Sequence, residues 1–243
     1  MLSIVIPTVW GHEPFCRFLE HVVELPVVGE IILINNNVDK TPDHSVLSNH
    51  KVQMHNQKEN IFVNPAWNLG VSLAKNNTVC ILSDDVLVDL RIFFEADRFI
   101  SKDIGLLSIG INHQLFRAQN NQFDDVDPAN LILTGDLKIR ASTKGPHTTG
   151  MGSLFFIHKD NWIDIPDSLK VYWGDTWQLN IQSGLGRINY YVNDCFYYSP
   201  WNMGVKSGAS CEYQQTEEFK KFENKEYYTM LLETKLEELK NGW

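Results

Sequence analysis

Short apolar runs alternate with segments of helical spacing along the first 111 residues. Apolar, β-branched runs are typical of buried strands, and here they cover residues 2–6, 30–34, 52–54, 78–82 and 105–111. Apolar residues recur every three or four positions between them, which predicts helices over residues 13–25, 64–75 and 90–100. Strands and helices in alternation predict an α/β fold with a parallel sheet and helices on both faces.

The helix predicted over residues 64–75 has a start signal in Asn64 and Pro65. An asparagine cap followed by proline at the first helical position is a common helix N-terminus. We therefore expect the Asn64 side chain to cap this helix.

The second half of the chain is less regular. Two polar segments predict loops, and they are residues 112–146 and 199–210. The remaining predicted elements are strands over 150–157 and 190–192, a helix over 175–183, and a charged helical tail over 212–243. The expected organisation is one domain over residues 1–211 followed by that tail.

Three polar clusters follow predicted strands directly: Pro7–Thr8, Asn35–Asn37 and Ser83–Asp85. In open parallel sheets, ligands bind at the carboxyl ends of the strands. We therefore expect the three clusters to form one binding edge, although asparagine and aspartate are also common in turns that bind nothing.

Asp84 and Asp85 are the acidic members of these clusters. Adjacent carboxylates repel one another unless a cation, a donor or water relieves them. Magnesium and similar cations are commonly held by one or two carboxylates together with substrate phosphates. The pair indicates a place where a metal bridges the protein and a diphosphate, and a solvated turn is the alternative.

The composition narrows the function classes. Apolar residues make up 43% of the 243 and charged residues 21%, which is ordinary for a globular protein. The net charge of −9 argues against a protein that coats nucleic acid, for which a basic face is expected. The four cysteines form no CxxC pair, which argues against a zinc site or a disulfide framework. We expect a cytoplasmic protein with no transmembrane segment, because the sequence has no long apolar run and no basic leader.

Four motifs, in this order, resemble the family 2-type glycosyltransferases of the GT-A fold. They are SIVIPT at 3–8, EIILINN at 30–36, the asparagines and glycine at Asn60, Asn68 and Gly70, and ILSDD at 81–85. The resemblance covers residues 1–90 well and 148–180 more loosely. It implies a mixed, mostly parallel GT-A sheet, with a nucleotide-binding half over 1–111 and an acceptor half over 112–211. The implied activity is inverting transfer of a sugar from a nucleotide-diphosphate donor, most simply a UDP-sugar, to a glycan or other hydroxyl acceptor.

The resemblance assigns the nucleotide-sugar site to matching positions. These are Pro7, Thr8, Asn35, Asn36, Asn37, Asn60, Asn68, Ser83, Asp84, Asp85, Gly150 and Gly152. Pro7 and Thr8 are expected to line the nucleotide pocket, the three consecutive asparagines to pair with the base, and Asn68 to border the nucleotide. Ser83 stands where the family has the first aspartate of D-x-D, so Asp85 is the expected ligand of Mn²⁺ or Mg²⁺. Asp84 is expected to face the ribose or the donor sugar, and the glycines to line that sugar.

Asp175 matches the place of the family's catalytic base, which takes the proton of the acceptor hydroxyl. An ordinary role at the start of a helix is the alternative. Trp173 and Trp177 flank it and are expected either to stack on sugar rings or to be core. Many members add a late histidine that holds metal or phosphate; here Asn202 or Lys206 is expected in its place.

Two other function classes stay open. A nucleotidyltransferase usually has a Gly-rich, basic loop after the first strand, and residues 10–13 are neither. A non-catalytic or assembly protein on the GT-A fold is the second, because Ser83 and the missing late histidine depart from the family pattern. The tail is expected to pack on its own domain, with self-association into a homo-oligomer as the alternative.

Overall fold

The computed structural model describes residues 1–11, 14–109, 136–142, 151–193, 195, 197–198 and 208–242. Within them the strands are β1 (Leu2–Thr8), β2 (Val28–Asn35), β3 (Val52–Asn56), β4 (Thr78–Leu82), β5 (Leu87–Val88), β6 (Ile104–Ile109), β7 (Lys138–Ala141), β8 (Leu154–His158), β9 (Ile188–Asn193) and β10 (Tyr197–Tyr198). The α-helices are α1 (Pro14–Val23), α2 (Val63–Leu73), α3 (Arg91–Phe99), α4 (Gly174–Gly184), α5 (Gly208–Tyr213), α6 (Glu217–Phe222) and α7 (Lys225–Asn241).

Eight strands form one sheet in the order β3-β2-β1-β4-β8-β6-β9-β7. The first four strands are mutually parallel, and β6 is parallel to β9. β8 runs antiparallel to both of its neighbours, and β7 runs antiparallel to β9. The predicted α/β fold, with a mixed, mostly parallel sheet, is confirmed.

The core lies on both faces of this sheet, because alternate residues of a strand point to opposite faces. Ile4 of β1 belongs to the cluster that packs α1 and α3 against the sheet. Val5, its neighbour, belongs to the cluster that packs α2 and α4 on the other face. The prediction of helices on both faces is therefore confirmed.

The C-terminal helices also pack on this second face. Tyr228 of α7 is 4% exposed and belongs to the same cluster as α2 and α4. A Cβ on Gly184 of α4 would lie 2.4 Å from Leu236 Cδ2, so the two helices meet closely at this glycine. An oligomer formed through α7 would have to use its opposite face, where Met230 is 51% exposed.

Three features differ from the sequence-based expectations. The helical C-terminal part begins at Gly208 instead of residue 212, and the short strands β5, β7 and β10 were not predicted. Phe62, instead of Asn64, is the N-cap of α2, and its φ of 66° lies in the left-handed region. Among the described residues, no helix combines the length and the apolar character needed to cross a membrane.

Candidate active site

The carboxyl ends of β2, β1 and β4 lie side by side at one edge of the sheet. Thr8 at the end of β1 is in register with Asn35 at the end of β2. Ser83, Asp84 and Asp85 follow β4, which pairs in parallel with β1 on its other side. The structure therefore brings the three predicted clusters together, because parallel strands end at the same edge.

Asp84 is tied to the end of β1. The Thr8 hydroxyl donates to Asp84 Oδ2 at 2.7 Å, and the Val9 backbone N–H donates to the same oxygen at 3.3 Å. Burial raises the pKa of Asp84, and these donors partly oppose that rise. Thr8 is only 2% exposed, and its hydroxyl is used in this bond; its expected place in the lining of the nucleotide pocket stays a prediction. Pro7, one residue earlier, is half-buried within β1.

Asp85 is the less constrained carboxylate of the pair. It is half-buried, and within the described part of the chain only its own backbone amide donates a hydrogen bond that lowers its pKa. Burial first, and the negative charge of Asp84 second, raise the pKa of Asp85 to about 7. Because its charge is incompletely compensated by the protein, Asp85 is the group of this edge best placed to meet a cation.

The donor set fits a metal that is shared with a ligand. Among the described residues, no group of three or more His, Cys, Asp or Glu side chains is placed to hold a metal ion. Mn²⁺ or Mg²⁺ needs fewer protein ligands where substrate phosphates complete its coordination. The half-buried Asp85 beside Asp84 fits that second kind of site.

Asn35 supports the edge from inside. It is fully buried, and its Oδ1 accepts from Trp10 Nε1 at 2.8 Å and from the Asn37 backbone N–H at 3.0 Å. Its Nδ2 donates to Thr41 Oγ1 and Asn56 Oδ1, both at 2.8 Å. These four bonds direct the Asn35 amide into the protein, and its expected pairing with a nucleotide base stays a prediction.

Asn36, Asn37 and Asn60 are half-buried and lie closer to the surface of the edge. Asn36 Oδ1 accepts from the Ile61 backbone N–H at 3.1 Å, and Asn60 Oδ1 accepts from the Phe62 N–H at 2.8 Å. The first bond joins the end of β2 to the loop before α2, and the second lies within that loop. The amide nitrogens of Asn36 and Asn60 donate in none of the hydrogen bonds described within residues 1–109.

Asn68 does not reach this edge. Its Nδ2 donates to the Ile165 carbonyl at 2.8 Å, and its Oδ1 accepts from the Ile165 N–H at 3.0 Å and from Trp162 Nε1 at 3.2 Å. Asn68 thus joins α2 to the segment before α4, and its expected place beside the nucleotide stays a prediction. This contact spans 97 residues of sequence, so no local pattern indicates it.

Asp175 meets the acidic edge through a short bridge. The Ser83 hydroxyl donates to the Gly152 carbonyl at 3.3 Å, and the Ser83 backbone N–H donates to the Ser153 carbonyl at 2.9 Å. The Gly152 backbone N–H donates to the Asp175 carboxyl, and a Cβ on Gly152 would lie 3.3 Å from Asp175 Oδ2. Gly152 thus allows the close approach that links the predicted base to the strand ends.

The surroundings of Asp175 suit a base. Asp175 Oδ1 accepts from the Thr176 backbone N–H at 2.7 Å and from the Thr176 hydroxyl at 3.3 Å. Burial, the largest effect, raises the pKa of the half-buried Asp175 above its ordinary value. A carboxylate with a raised pKa is a stronger base at neutral pH. Both Thr176 bonds go to Oδ1, so Oδ2 is the oxygen on the side of Gly152 and the strand-end edge.

The flanking tryptophans have structural contacts. Trp177 is 1% exposed, so of its two expected roles the core role is the one observed. Trp173 is stacked on Tyr228 with ring centres 4.8 Å apart. Trp173 has a left-handed φ of 68° and is the N-cap of α4, which places Asp175 inside the first turn instead of at the cap.

The comparisons with known proteins were made on sequence and on structure. No protein-family model matches the chain, and no curated protein matches it in sequence. The structure of Staphylococcus aureus TarS residues 1–349 in complex with UDP-GlcNAc superposes with a TM-score of 0.56 and 14% identity, covering 82% of this chain and 58% of that one. The mannosyltransferase PcManGT from Pyrobaculum calidifontis, in complex with GDP-Man and Mn²⁺, gives a TM-score of 0.56 and 13% identity, covering 82% and 56%. GalNAc-T7 with UDP, GalNAc and Mn²⁺ gives a TM-score of 0.56 and 13% identity, covering 82% and 43%.

The chain has the GT-A glycosyltransferase fold. It spans a little over half the length of the TarS and PcManGT chains that it matches. The GT-A resemblance based on the four sequence motifs is thereby confirmed at the level of the fold.

Trp10 is a residue of this GT-A edge that was not predicted from the sequence. It is half-buried, has a left-handed φ of 57°, and donates from Nε1 to Asn35 Oδ1. A non-glycine residue held in this region needs support from its surroundings, and such residues cluster at functional sites. Its position just beyond the β1 strand end is the signal that would have indicated it.

Other expected site residues lie outside the described part of the GT-A chain. They are Gly150, Asn202 and Lys206.

Proposed function

We propose that the protein is a glycosyltransferase that moves a sugar from a nucleoside-diphosphate donor to an acceptor hydroxyl. The observation that carries the proposal is the contact between Gly152 and Asp175, next to the bond between Gly152 and Ser83. It sets a carboxylate with a raised pKa beside a pair of strand-end carboxylates. A base and a diphosphate site need that proximity to act on one donor.

In this proposal Asp175 is the catalytic base. Its Oδ2 accepts the proton of the acceptor hydroxyl while the acceptor oxygen bonds to the anomeric carbon. The bond between that carbon and the diphosphate oxygen breaks, and the nucleoside diphosphate leaves with the electron pair. Attack opposite to the leaving group inverts the configuration at the anomeric carbon.

Asp85 holds the divalent cation in this proposal, with Asp84 beside it. A bound Mn²⁺ or Mg²⁺ supplies charge that stabilises the departing diphosphate. Asp84 has a second role, because its bond with Thr8 keeps the ends of β1 and β4 in fixed relation.

The nucleoside is assigned to the surface formed by Trp10, Asn36, Asn37 and Asn60. These side chains are half-buried at the strand-end edge, and aromatic rings and amides suit a flat, polar base. The TarS complex contains UDP-GlcNAc and the PcManGT complex contains GDP-Man, so both uridine and guanosine donors are tested. The UDP-sugar expected from the sequence remains our first choice.

A non-catalytic nucleotide-binding protein is the second candidate. Its support is Ser83, which replaces a carboxylate in the D-x-D position and bonds to the Gly152 carbonyl. This candidate keeps the diphosphate site and lacks turnover.

Calorimetric titration with UDP or GDP, with and without Mn²⁺, tests the binding site. Release of UDP from UDP-GlcNAc, or of GDP from GDP-mannose, tests turnover. We expect metal-dependent binding of one nucleotide, turnover of its sugar donor, and loss of turnover in Asp175→Asn. Asp164→Asn, a change at an aspartate outside the edge, is the matched control. Binding without turnover would favour the second candidate, and no binding of either nucleotide would contradict both.

A further inference from the structure

Residues 169–172 form the approach to α4 and are named here the approach segment. It is followed by Trp173 and Gly174, and then by Asp175. The position of the candidate base therefore depends on how firmly this segment is held. Two residues distant in sequence, Asn64 and Glu223, bind most of its backbone polar groups.

Asn64 holds the carbonyls of the approach segment. Its Nδ2 donates to the Leu169 carbonyl at 2.9 Å and to the Tyr172 carbonyl at 2.8 Å. Its backbone N–H donates to the Lys170 carbonyl at 3.0 Å. Asn64 is fully buried, so water does not compete for these bonds.

Glu223 holds the amides of the same segment. Its Oε1 accepts from the backbone N–H groups of Lys170 and Val171, both at 2.7 Å. Its Oε2 accepts from the Tyr172 N–H at 2.5 Å. Hydrogen bonds to an ionised acceptor are stronger than neutral ones, and Glu223 is only 6% exposed.

The contact continues into the residue before α4. Trp173 Nε1 donates to the Glu223 carbonyl at 3.1 Å. The Trp173 ring is stacked on Tyr228 of α7, with ring centres 4.8 Å apart and planes inclined by 19°. Glu223 and Tyr228 thus fix Trp173, whose backbone is left-handed, immediately before the turn that presents Asp175.

We propose that Glu223 is a positioning residue for Asp175, so that the C-terminal helices complete the active site without touching the substrate. This inference rests on the proposed function, in which Asp175 is the base. The three amide bonds fix the approach segment, and the stacked Trp173 transmits this order to the first turn of α4. A base must lie within hydrogen-bond reach of the acceptor proton, so a small displacement of this turn slows the chemical step.

Glu223→Gln is the variant of choice, because it keeps the size of the side chain. Its amide oxygen still accepts from Lys170 and Val171, but its NH₂ group faces the Tyr172 N–H, donor against donor. Glu218→Gln is the matched control. It removes the same charge from α6, where Glu218 binds the Lys170 side chain at 2.7 Å and none of the amides of the approach segment. Glu223→Ala removes both acceptor oxygens, and with them all three amide bonds, and provides the graded comparison.

Two measurements decide the proposal. Hydrogen exchange followed by mass spectrometry reports on the amides of residues 170–176. Steady-state release of UDP from UDP-GlcNAc, or of GDP from GDP-mannose, with Mn²⁺ gives kcat and the donor KM. In Glu223→Gln we expect exchange to accelerate in residues 170–176, including the turn that carries Asp175. We also expect kcat to fall about tenfold while the donor KM stays within about twofold, because only the base is displaced. Glu218→Gln should leave both readouts at the values of the unaltered protein.

Unchanged exchange at residues 173–176 in Glu223→Gln would overturn the proposal. So would an unchanged kcat, measured below the melting temperature of the variant, because a purely structural glutamate lowers only stability. Should Glu223→Ala fail to fold, Glu223→Gln still decides. Failure of the unaltered protein to bind UDP or GDP would contradict the proposed function instead, and the exchange measurement would still judge the hold on the Asp175 turn.

Discussion

Asp85 and Asp175 are both half-buried carboxylates with raised pKa values, but their surroundings favour different chemistry. Asp85 lies beside a second negative charge, which a cation relieves. Asp175 has Thr176 and Gly152 as its hydrogen-bond donors. A cation is therefore favoured at the first carboxylate and proton transfer at the second.

The pH dependence of turnover tests the base. Only ionised Asp175 removes a proton, and its pKa is raised above the ordinary 3.8. We therefore expect kcat, measured at saturating donor and Mn²⁺, to fall as pH drops, at a pH above that ordinary value. Asp175→Asn should lower kcat by at least about 100-fold while UDP or GDP binding is kept. An acid limb at the ordinary aspartate value would contradict the assignment.

Asp85→Asn should move stability and affinity in opposite directions. Removing one of two adjacent charges relieves repulsion, so the melting temperature of the ligand-free protein should rise by roughly 2–4 °C per kcal/mol gained. The Mn²⁺-dependent affinity for the nucleoside diphosphate should fall at least about tenfold. Asp39→Asn, at an exposed aspartate, is the control and should change neither quantity. A variant that binds the diphosphate with unchanged Mn²⁺ dependence would remove Asp85 from the metal site.

The asparagines mark the limit of prediction at the residue scale. The sequence places Asn35 and Asn36 together after a strand, but only the structure separates the buried support from the half-buried neighbour. Asn64 and Asn68 look like a helix start and a nucleotide contact. Both bind carbonyl groups about 100 residues later in the chain. Such partners are set by tertiary packing and leave no local pattern.

At the scale of elements, α2 and α4 meet in a close contact near the site. A Cβ on Gly174 would lie 2.1 Å from Asn64 Oδ1, so α4 begins where only glycine fits. Long strands and amphipathic helices follow their own periodicity, which is why most of them were predicted. The two-residue strands β5 and β10 pair with each other across more than 100 residues, and no period marks strands so short.

Gly174→Ala should disturb that junction. We expect a loss of about 1–3 kcal/mol in the free energy of unfolding, measured by urea denaturation, because the buried Asn64 must shift. Gly11→Ala is the control, since a Cβ at Gly11 meets no atom within 4 Å. Equal stability of the two variants would show that the α2–α4 contact is looser than described.

At the scale of the whole molecule, the C-terminal helices pack on the same core as α2 and α4. Leu231, Leu232, Leu236 and Leu239 of α7 pack on the cluster that contains Trp177. The boundary expected at residue 211 was based on a change in composition, which indicates a charged and exposed segment. Composition does not show where the apolar residues of α7 pack.

Deletion of residues 217–243 tests this unity. Each fully buried apolar side chain contributes about 1.5–3 kcal/mol, so losing several partly buried ones should cost a large share of total stability. We expect a fall in melting temperature of more than about 10 °C, or aggregation, measured by calorimetry and light scattering. Deletion of residues 242 and 243 alone should have little effect. Cooperative melting of residues 1–216 at the full-length temperature would show that the C-terminal helices add nothing to the stability of the core.

The hydrogen bonds that fix residues 169–172 also affect the expected order of folding. Its partners lie 105 residues earlier, at Asn64, and 51–53 residues later, at Glu223. Contacts of such long sequence separation close late, because loop-closure entropy must be overcome first. Newly folded molecules should therefore pass through a stage with a formed sheet and an inactive site. In refolding from urea, recovery of nucleoside-diphosphate release should lag behind recovery of secondary structure. The chain would then acquire its shape before it acquires its activity.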